Sequence, residues 1–222
     1  MKMTPKNPYP PVRIIGKNSR AVTGEMPGIG AYESTLERDF MEILRFDHDV
    51  LCVSPQPLLV TFLDSNGKTK EYYPDGLIEF HVELGQCPIL YEVKYRQDFR
   101  DNWRQLLPKF RAAKRYCAER GWRFEVYTEK EIRTPYLKNV RFLFPYRERQ
   151  FPEPIISWVL QTLADLIEAD PDLLLCALCK DKGNRAELIP VIWHLVANGV
   201  IDCDLEEPLT MRSRIQTCRV TP

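Results

Sequence analysis

Tyr73-Pro74-Asp75-Gly76-Leu77-Ile78 and Ile89-Leu90-Tyr91-Glu92-Val93-Lys94 are the two runs whose reading decides the fold. Their apolar stretches are short and rich in Ile, Leu, Tyr and Val, the composition of strands. Glu83-Leu84-Gly85-Gln86 supplies a loop between them. Strand side chains alternate faces, so Glu92 and Lys94 share one face and Val93 takes the other. Paired as a hairpin, the runs bring Asp75 beside Glu92 and set two carboxylates and an ammonium on one patch. Adjacent carboxylates repel, and one pKa rises unless a cation lies between them. A hard divalent ion such as Mg²⁺ meets that need with oxygen ligands while keeping waters of its own. Lys94 is then placed to orient or deprotonate one of those waters. A plainer reading competes: Asp75 closes a turn after Pro74, and Glu92 and Lys94 are cross-strand surface charges.

Working outward, Leu36, Phe40, Ile43 and Leu44 recur at helical spacing and predict a helix from about Tyr32 to Phe46. Glu33 and Glu37 fall on a neighbouring face of it, each a candidate acid for the same patch or a solvent-facing helix former. Val50 to Val53 and Leu58 to Leu63 read as strands, and Gly67 marks a turn feeding the hairpin. A helix over roughly Asn102 to Arg120 follows, with Pro108 expected to kink it. Gly121 ends that helix, and Trp122 to Tyr127 returns as a strand. The order predicts a mixed α/β layer with Asp75 and Glu92 on central strands.

The 222 residues allow one large domain, or a medium and a small one. No run approaches the roughly 20 apolar residues a membrane span needs. Met1 to Lys6 is basic without an apolar signal-peptide core. Seven cysteines scattered through apolar runs read as buried thiols of a reducing compartment. Cys176-Ala177-Leu178-Cys179 lacks a second metal-binding pair at zinc-ribbon spacing. The formal net charge is zero, yet residues 151–222 hold 6 Lys+Arg against 11 Asp+Glu; with 31 of each in the chain, residues 1–150 hold 25 against 20. A basic front half points to a polyanion and an acidic back half to a protein partner. Residues 1–30 carry Lys2, Lys6, Arg13, Lys17 and Arg20 among many Pro and Gly, and read as a basic arm without regular structure. Pro145, Pro152 and Pro154 punctuate a boundary, dividing a central domain (31–145) from a small one (146–222). The small one holds helices at Ile155–Glu168, Leu173–Cys179 and Ala186–Ala197, then a two-stranded wing.

Pro-Asp, a spacer and Glu-x-Lys resemble the PD-(D/E)xK motif of restriction-endonuclease-like nucleases. Tyr32 to Phe40, Gln56-Pro57-Leu58, Tyr73-Pro74-Asp75, Tyr91 to Lys94 and Phe124 to Glu129 in succession are similar to TnsA, the endonuclease subunit of heteromeric transposases. The resemblance implies a restriction-endonuclease-like α/β sheet flanked by helices and a winged-helix-like C-terminal domain. It implies Glu37 as the helix acid, with Glu33 the alternative, Asp75 and Glu92 as metal ligands and Lys94 as the catalytic lysine. Some relatives have Gln at the Glu92 position; Glu here keeps the charge. Mg²⁺, with Mn²⁺ as substitute, is the implied cofactor, and Arg96, Arg100 and Arg104 are expected DNA contacts. The implied activity is cleavage of the 5′, non-transferred strand at transposon ends. A DDE transposase, TnsB, and a AAA+ regulator, TnsC, are the implied partners, the latter at the C-terminal domain, in a bacterial cytoplasm. A free-standing nuclease of the same fold and a non-catalytic DNA-binding subunit are the alternatives.

Overall fold

The computed structural model describes residues 9–12, 22–64 and 66–218. Lys2, Lys6, Arg13, Lys17 and Arg20, the cations of the expected arm, lie outside these residues. The chain divides into two compact units, Met1–Arg133 and Thr134–Pro222. The division precedes the proline cluster that marked it in the sequence, because Pro145 lies inside a helix rather than in a linker.

In the first unit, β1 (Gly24–Met26) and β2 (Gly30–Tyr32) form an antiparallel hairpin. The same glycines that read as structure breakers make its turn, Gly28 with φ 82° and Gly30 with φ 136°. Helix α1 (Thr35–Phe46) starts after Tyr32 because Ser34 caps it: the Ser34 hydroxyl accepts the Glu37 N–H at 3.1 Å. Then come β3 (Val50–Pro55), β4 (Val60–Leu63), β5 (Thr69–Tyr72), β6 (Gly76–Phe80), β7 (Ile89–Val93), α2 (Arg96–Ala118), β8 (Arg123–Tyr127) and α3 (Glu129–Ile132).

Strands β3, β6, β7 and β8 form one mixed sheet in that order, antiparallel except for the β7–β8 pair. A parallel pair needs a long crossover, and α2 provides it. Strands β4 and β5 make a separate hairpin around Gly67, whose φ is 74°. Every residue of β7 is buried, as befits a central strand covered on both faces. Ile89, Tyr91 and Val93 pack with Leu36, Phe40 and Leu44 of α1; Leu90 packs with Leu77 and with Ala112, Ala113 and Cys117 of α2. Each large apolar side chain so buried contributes roughly 1.5–3 kcal/mol. Alternation therefore turns the Glu92 position toward α2. Helix α2 begins earlier than periodicity predicted, and its non-helical residue is Asn102 (φ −129°, ψ 15°) rather than Pro108. Pro108 has no N–H for the Arg104 carbonyl and crowds it, and the break lies further toward the N-terminus, six residues before the proline.

The second unit holds α4 (Pro135–Arg147), α5 (Glu153–Leu166), β9 (Glu168–Ala169), α6 (Pro171–Leu178), α7 (Lys182–Ala197), β10 (Ile201–Cys203) and β11 (Ile215–Thr217). Val159, Leu163, Leu174, Leu175, Ile192 and Leu195 are buried. The strands form a three-stranded antiparallel sheet, β10-β11-β9, one strand more than the expected wing. Asn139 of α4 ties down the β10–β11 connection, its amide donating to the Leu205 and Glu207 carbonyls at 2.8 and 2.7 Å. The cysteines are all free, but only Cys117 is buried; Cys176 and Cys218 are exposed, because they fall on outward-facing positions of α6 and beyond the end of β11. Among the described residues, no helix is long and apolar enough to cross a membrane.

Candidate active site

Asp75 stands immediately before β6, and the pairing of Gly76 with Tyr91 puts it next to Glu92 in the register. Two backbone bonds fix it. Its carbonyl accepts the Gln56 N–H at 3.0 Å, and its Oδ2 accepts the Val93 N–H at 2.7 Å. Gln56 is buried with φ 44°, a conformation a non-glycine residue adopts only where its surroundings impose it. Glycine at 76 is required by close approach: a Cβ there would lie 2.3 Å from the Tyr91 hydroxyl. Asp75 Oδ1 has no hydrogen bond among the described residues.

Glu92 is 1 % exposed, so its carboxylate must be fully partnered to remain charged. Its Oε2 accepts the Tyr72 hydroxyl at 2.6 Å. Its Oε1 faces two ammonium groups, Lys94 Nζ at 3.1 Å and Lys109 Nζ at 2.9 Å. Lys94 Nζ also donates to the Val93 carbonyl at 3.1 Å and lies 3.7 Å from Asp75 Oδ2. Three oxygens from three residues thus converge on one positive centre.

Glu37 joins this group from the first turn of α1. Its carboxylate accepts the Glu33 N–H and the Ser34 hydroxyl, both at 2.9 Å. Burial pushes its pKa up against those two bonds and the Lys94 charge. Burial likewise pushes Asp75 well above the usual carboxylate range; Glu92 and Glu37 add to the rise, while Lys94 and the Val93 N–H oppose it. For Lys94, burial favours the neutral amine, but Asp75, Glu92 and Glu37 outweigh it and its pKa rises. Lys94 is therefore a firmly held ammonium. Burial, then the charge and hydrogen bond of Glu92, keep Tyr72 protonated as a donor.

The structure thus brings together Glu37, Asp75, Glu92 and Lys94. Between the two helix acids, Glu37 is the one whose charge acts on Asp75 and Lys94. Arg96 is engaged within the unit, its backbone N–H on Glu129 and its guanidinium on Thr128 and Glu131. Arg100 and Arg104 are exposed on α2. Sequence reasoning missed Tyr72, Lys109 and the backbone role of Gln56. Only Gln56-Pro57 left a trace, as a run that matched a family pattern.

The oxygen set suits a hard divalent cation, since an ammonium already occupies the point where Asp75, Glu92 and the Val93 carbonyl converge. Among the described residues, no three His, Cys, Asp or Glu side chains are already gathered around a common point. A bound cation would replace the Lys94 ammonium rather than enter a vacant cage. The family model for the TnsA-like endonuclease N terminal matches residues 47–129, and that for the TnsA endonuclease C terminal matches residues 131–205. No curated protein matches the chain.

Proposed function

The chain belongs to the TnsA endonuclease family, and on that premise we propose that it cuts the 5′, non-transferred strand at transposon ends in a Mg²⁺-dependent reaction. Membership makes it a nuclease subunit of a Tn7-like transposase and gives its first unit the restriction-endonuclease-like fold. The observation that carries the catalytic reading is the convergence of Asp75, Glu92 and the Val93 carbonyl on the Lys94 ammonium.

Asp75 and Glu92, with Glu37 beside them, would hold the metal, for which Mn²⁺ can substitute. When bound, it would polarise the scissile phosphate and stabilise the leaving 3′ oxygen. Lys94, whose pKa its three carboxylate neighbours raise in the metal-free protein, donates hydrogen bonds and orients the attacking water. Gln56 and the Val93 N–H hold Asp75 in place, and Tyr72 holds Glu92. Exposed Arg100 and Arg104 contact the DNA backbone, and Arg96 orders the adjoining α3 turn. A DDE subunit, TnsB, cuts and joins the 3′ ends. In the second unit, the order helix, strand, helix, helix, strand, strand from α5 to β11 supports a winged-helix-like reading. The acidic balance of residues 151–222, 6 Lys+Arg against 11 Asp+Glu, favours contact with the AAA+ regulator TnsC over contact with DNA.

Strand-specific cleavage of DNA carrying transposon ends tests the proposal, with wild type and Asp75→Ala each assayed alone and with both partners. Cuts at 5′ ends that need the partners and vanish with Asp75→Ala are expected, while 3′ cleavage and joining persist. Cleavage by the protein alone would make it a free-standing nuclease, and no Asp75-dependent cut at all would leave a binding role.

A further inference from the structure

We propose that Lys109 is a positioning residue: the resident counter-charge that holds Glu92, together with Tyr72, while Lys94 is exchanged for the divalent cation. The inference rests on the metal reading above and concerns a residue outside the Asp75, Glu92 and Lys94 motif. Lys94 and Lys109 share one oxygen, Glu92 Oε1, but differ in everything else they touch. The other contacts of Lys94 are Asp75 Oδ2 and the Val93 carbonyl, the oxygens a metal would claim. The other neighbours of Lys109 are ring faces, Tyr72 at 4.6 Å and Phe110 at 5.3 Å from its ammonium. Those ring faces offer a divalent ion no oxygen toward which Lys109 would have to yield, and the Tyr72 hydroxyl is already donating to Glu92 Oε2. Lys109 reaches Glu92 because β7 turns that side chain toward α2, the helix that carries Lys109. Lys94 is thus poised to yield these oxygens to the metal and turn to the water beside it, while Lys109 stays on Glu92.

A cation that stays has two consequences of opposite sign. Without metal it stabilises the fold, since it compensates a carboxylate that is 1 % exposed. With metal it lowers affinity, because a fixed positive charge repels the arriving ion. A residue that merely orients or packs a ligand would do the reverse on the second count, and its loss would weaken binding.

The test uses the full chain and Ca²⁺, titrated by calorimetry, with thermal unfolding measured without and with saturating Ca²⁺. Lys109→Gln keeps a hydrogen-bonding side chain and removes the charge. We expect it to bind Ca²⁺ about tenfold more tightly than wild type. Its Tm without metal should fall by about 5–10 °C, and saturating Ca²⁺ should recover most of that fall. Lys109→Arg keeps the charge and should stay near wild type on both measures. If Lys109→Gln is unfolded without metal, Ca²⁺ should restore its fold. Equal or weaker Ca²⁺ binding by Lys109→Gln, or a fall in Tm that Ca²⁺ does not recover, overturns the role of Lys109 alone. Absence of Ca²⁺ binding by wild type overturns the metal reading and this inference together.

Discussion

Helix α2 carries two kinds of cation, and they differ in what they can do. Lys109 has a side chain 18 % exposed and bonds to a carboxylate that is almost wholly buried. Arg100 and Arg104 stand exposed, with no hydrogen bond or ion pair among the described residues. A charge taken out of water needs a partner, so its energetic weight lies in the fold and its effect on function is geometric. A charge left in water does little for the fold and acts on whatever approaches it. One helix therefore serves both the interior of the site and the surface beside it.

Removing Glu92 breaks the interior side of this contrast most severely. Glu92→Ala leaves Lys94 and Lys109 facing each other without their shared anion and opens a cavity beneath Tyr72. Unfolding in denaturant should show a loss of about 3 kcal/mol, within the range for breaking a buried pair. A loss under about 0.5 kcal/mol, typical of surface substitutions, would remove the distinction between the two regions. Tyr72→Phe is gentler. It deletes only the hydroxyl that donates to Glu92 at 2.6 Å, leaving Oε2 without that donor. A loss of about 1.5–2 kcal/mol in the same assay is expected. If Glu92→Ala and Tyr72→Phe each lower stability, the double variant should lose less than their sum, because both act on one carboxylate.

What was legible in the sequence follows the same division. The Asp75–Glu92 adjacency and the shared face of Glu92 and Lys94 are consequences of strand alternation, a local rule, and both stand in the structure. Lys109 pairs with a residue 17 positions earlier, and that contact depends on how α2 crosses β7. No periodicity within either segment encodes the crossing. Tyr72 was similarly hidden, since it ends a separate hairpin, β4–β5, whose placement over the sheet is tertiary. Helix α4 escaped because Pro145, which lies inside it, read as punctuation, while Pro135 stands at the first helical position, where a proline is well tolerated. Ser34 was legible in principle, as Ser-x-x-Glu ahead of an apolar run is a capping signal. In this chain that capping Glu is also the proposed site acid, so one residue answers to two patterns.

Interior charges should also impose a pH dependence that surface ones do not. The pKa of Asp75 is raised in the fold, so the folded state binds its proton more tightly than the unfolded chain does. The stability this contributes is present below the ordinary carboxylate range and is lost as pH rises through the raised value. Lys94 is also shifted upward, and its contribution persists until pH exceeds the ordinary lysine range. Metal-free wild type should therefore lose stability relative to Asp75→Asn between mildly acidic and neutral pH. Parallel Tm profiles for the two proteins over that interval would show that Asp75 carries no such penalty.

Replacing both Arg100 and Arg104 with Ala is the smallest perturbation of the fold and the sharpest probe of the other side of the contrast. Stability should stay within about 0.5 kcal/mol of wild type, because no partner is left unpaired. Affinity for DNA should fall across sequences at low salt, and the slope of log K against log salt should shrink by about 2. Lys109→Gln offers the matched control: it removes one cation from the same helix, but one already neutralised by Glu92. It should leave that slope unchanged. If Lys109→Gln changed the slope and the arginine pair did not, the two regions would have exchanged roles: Lys109 would release Glu92 to meet DNA.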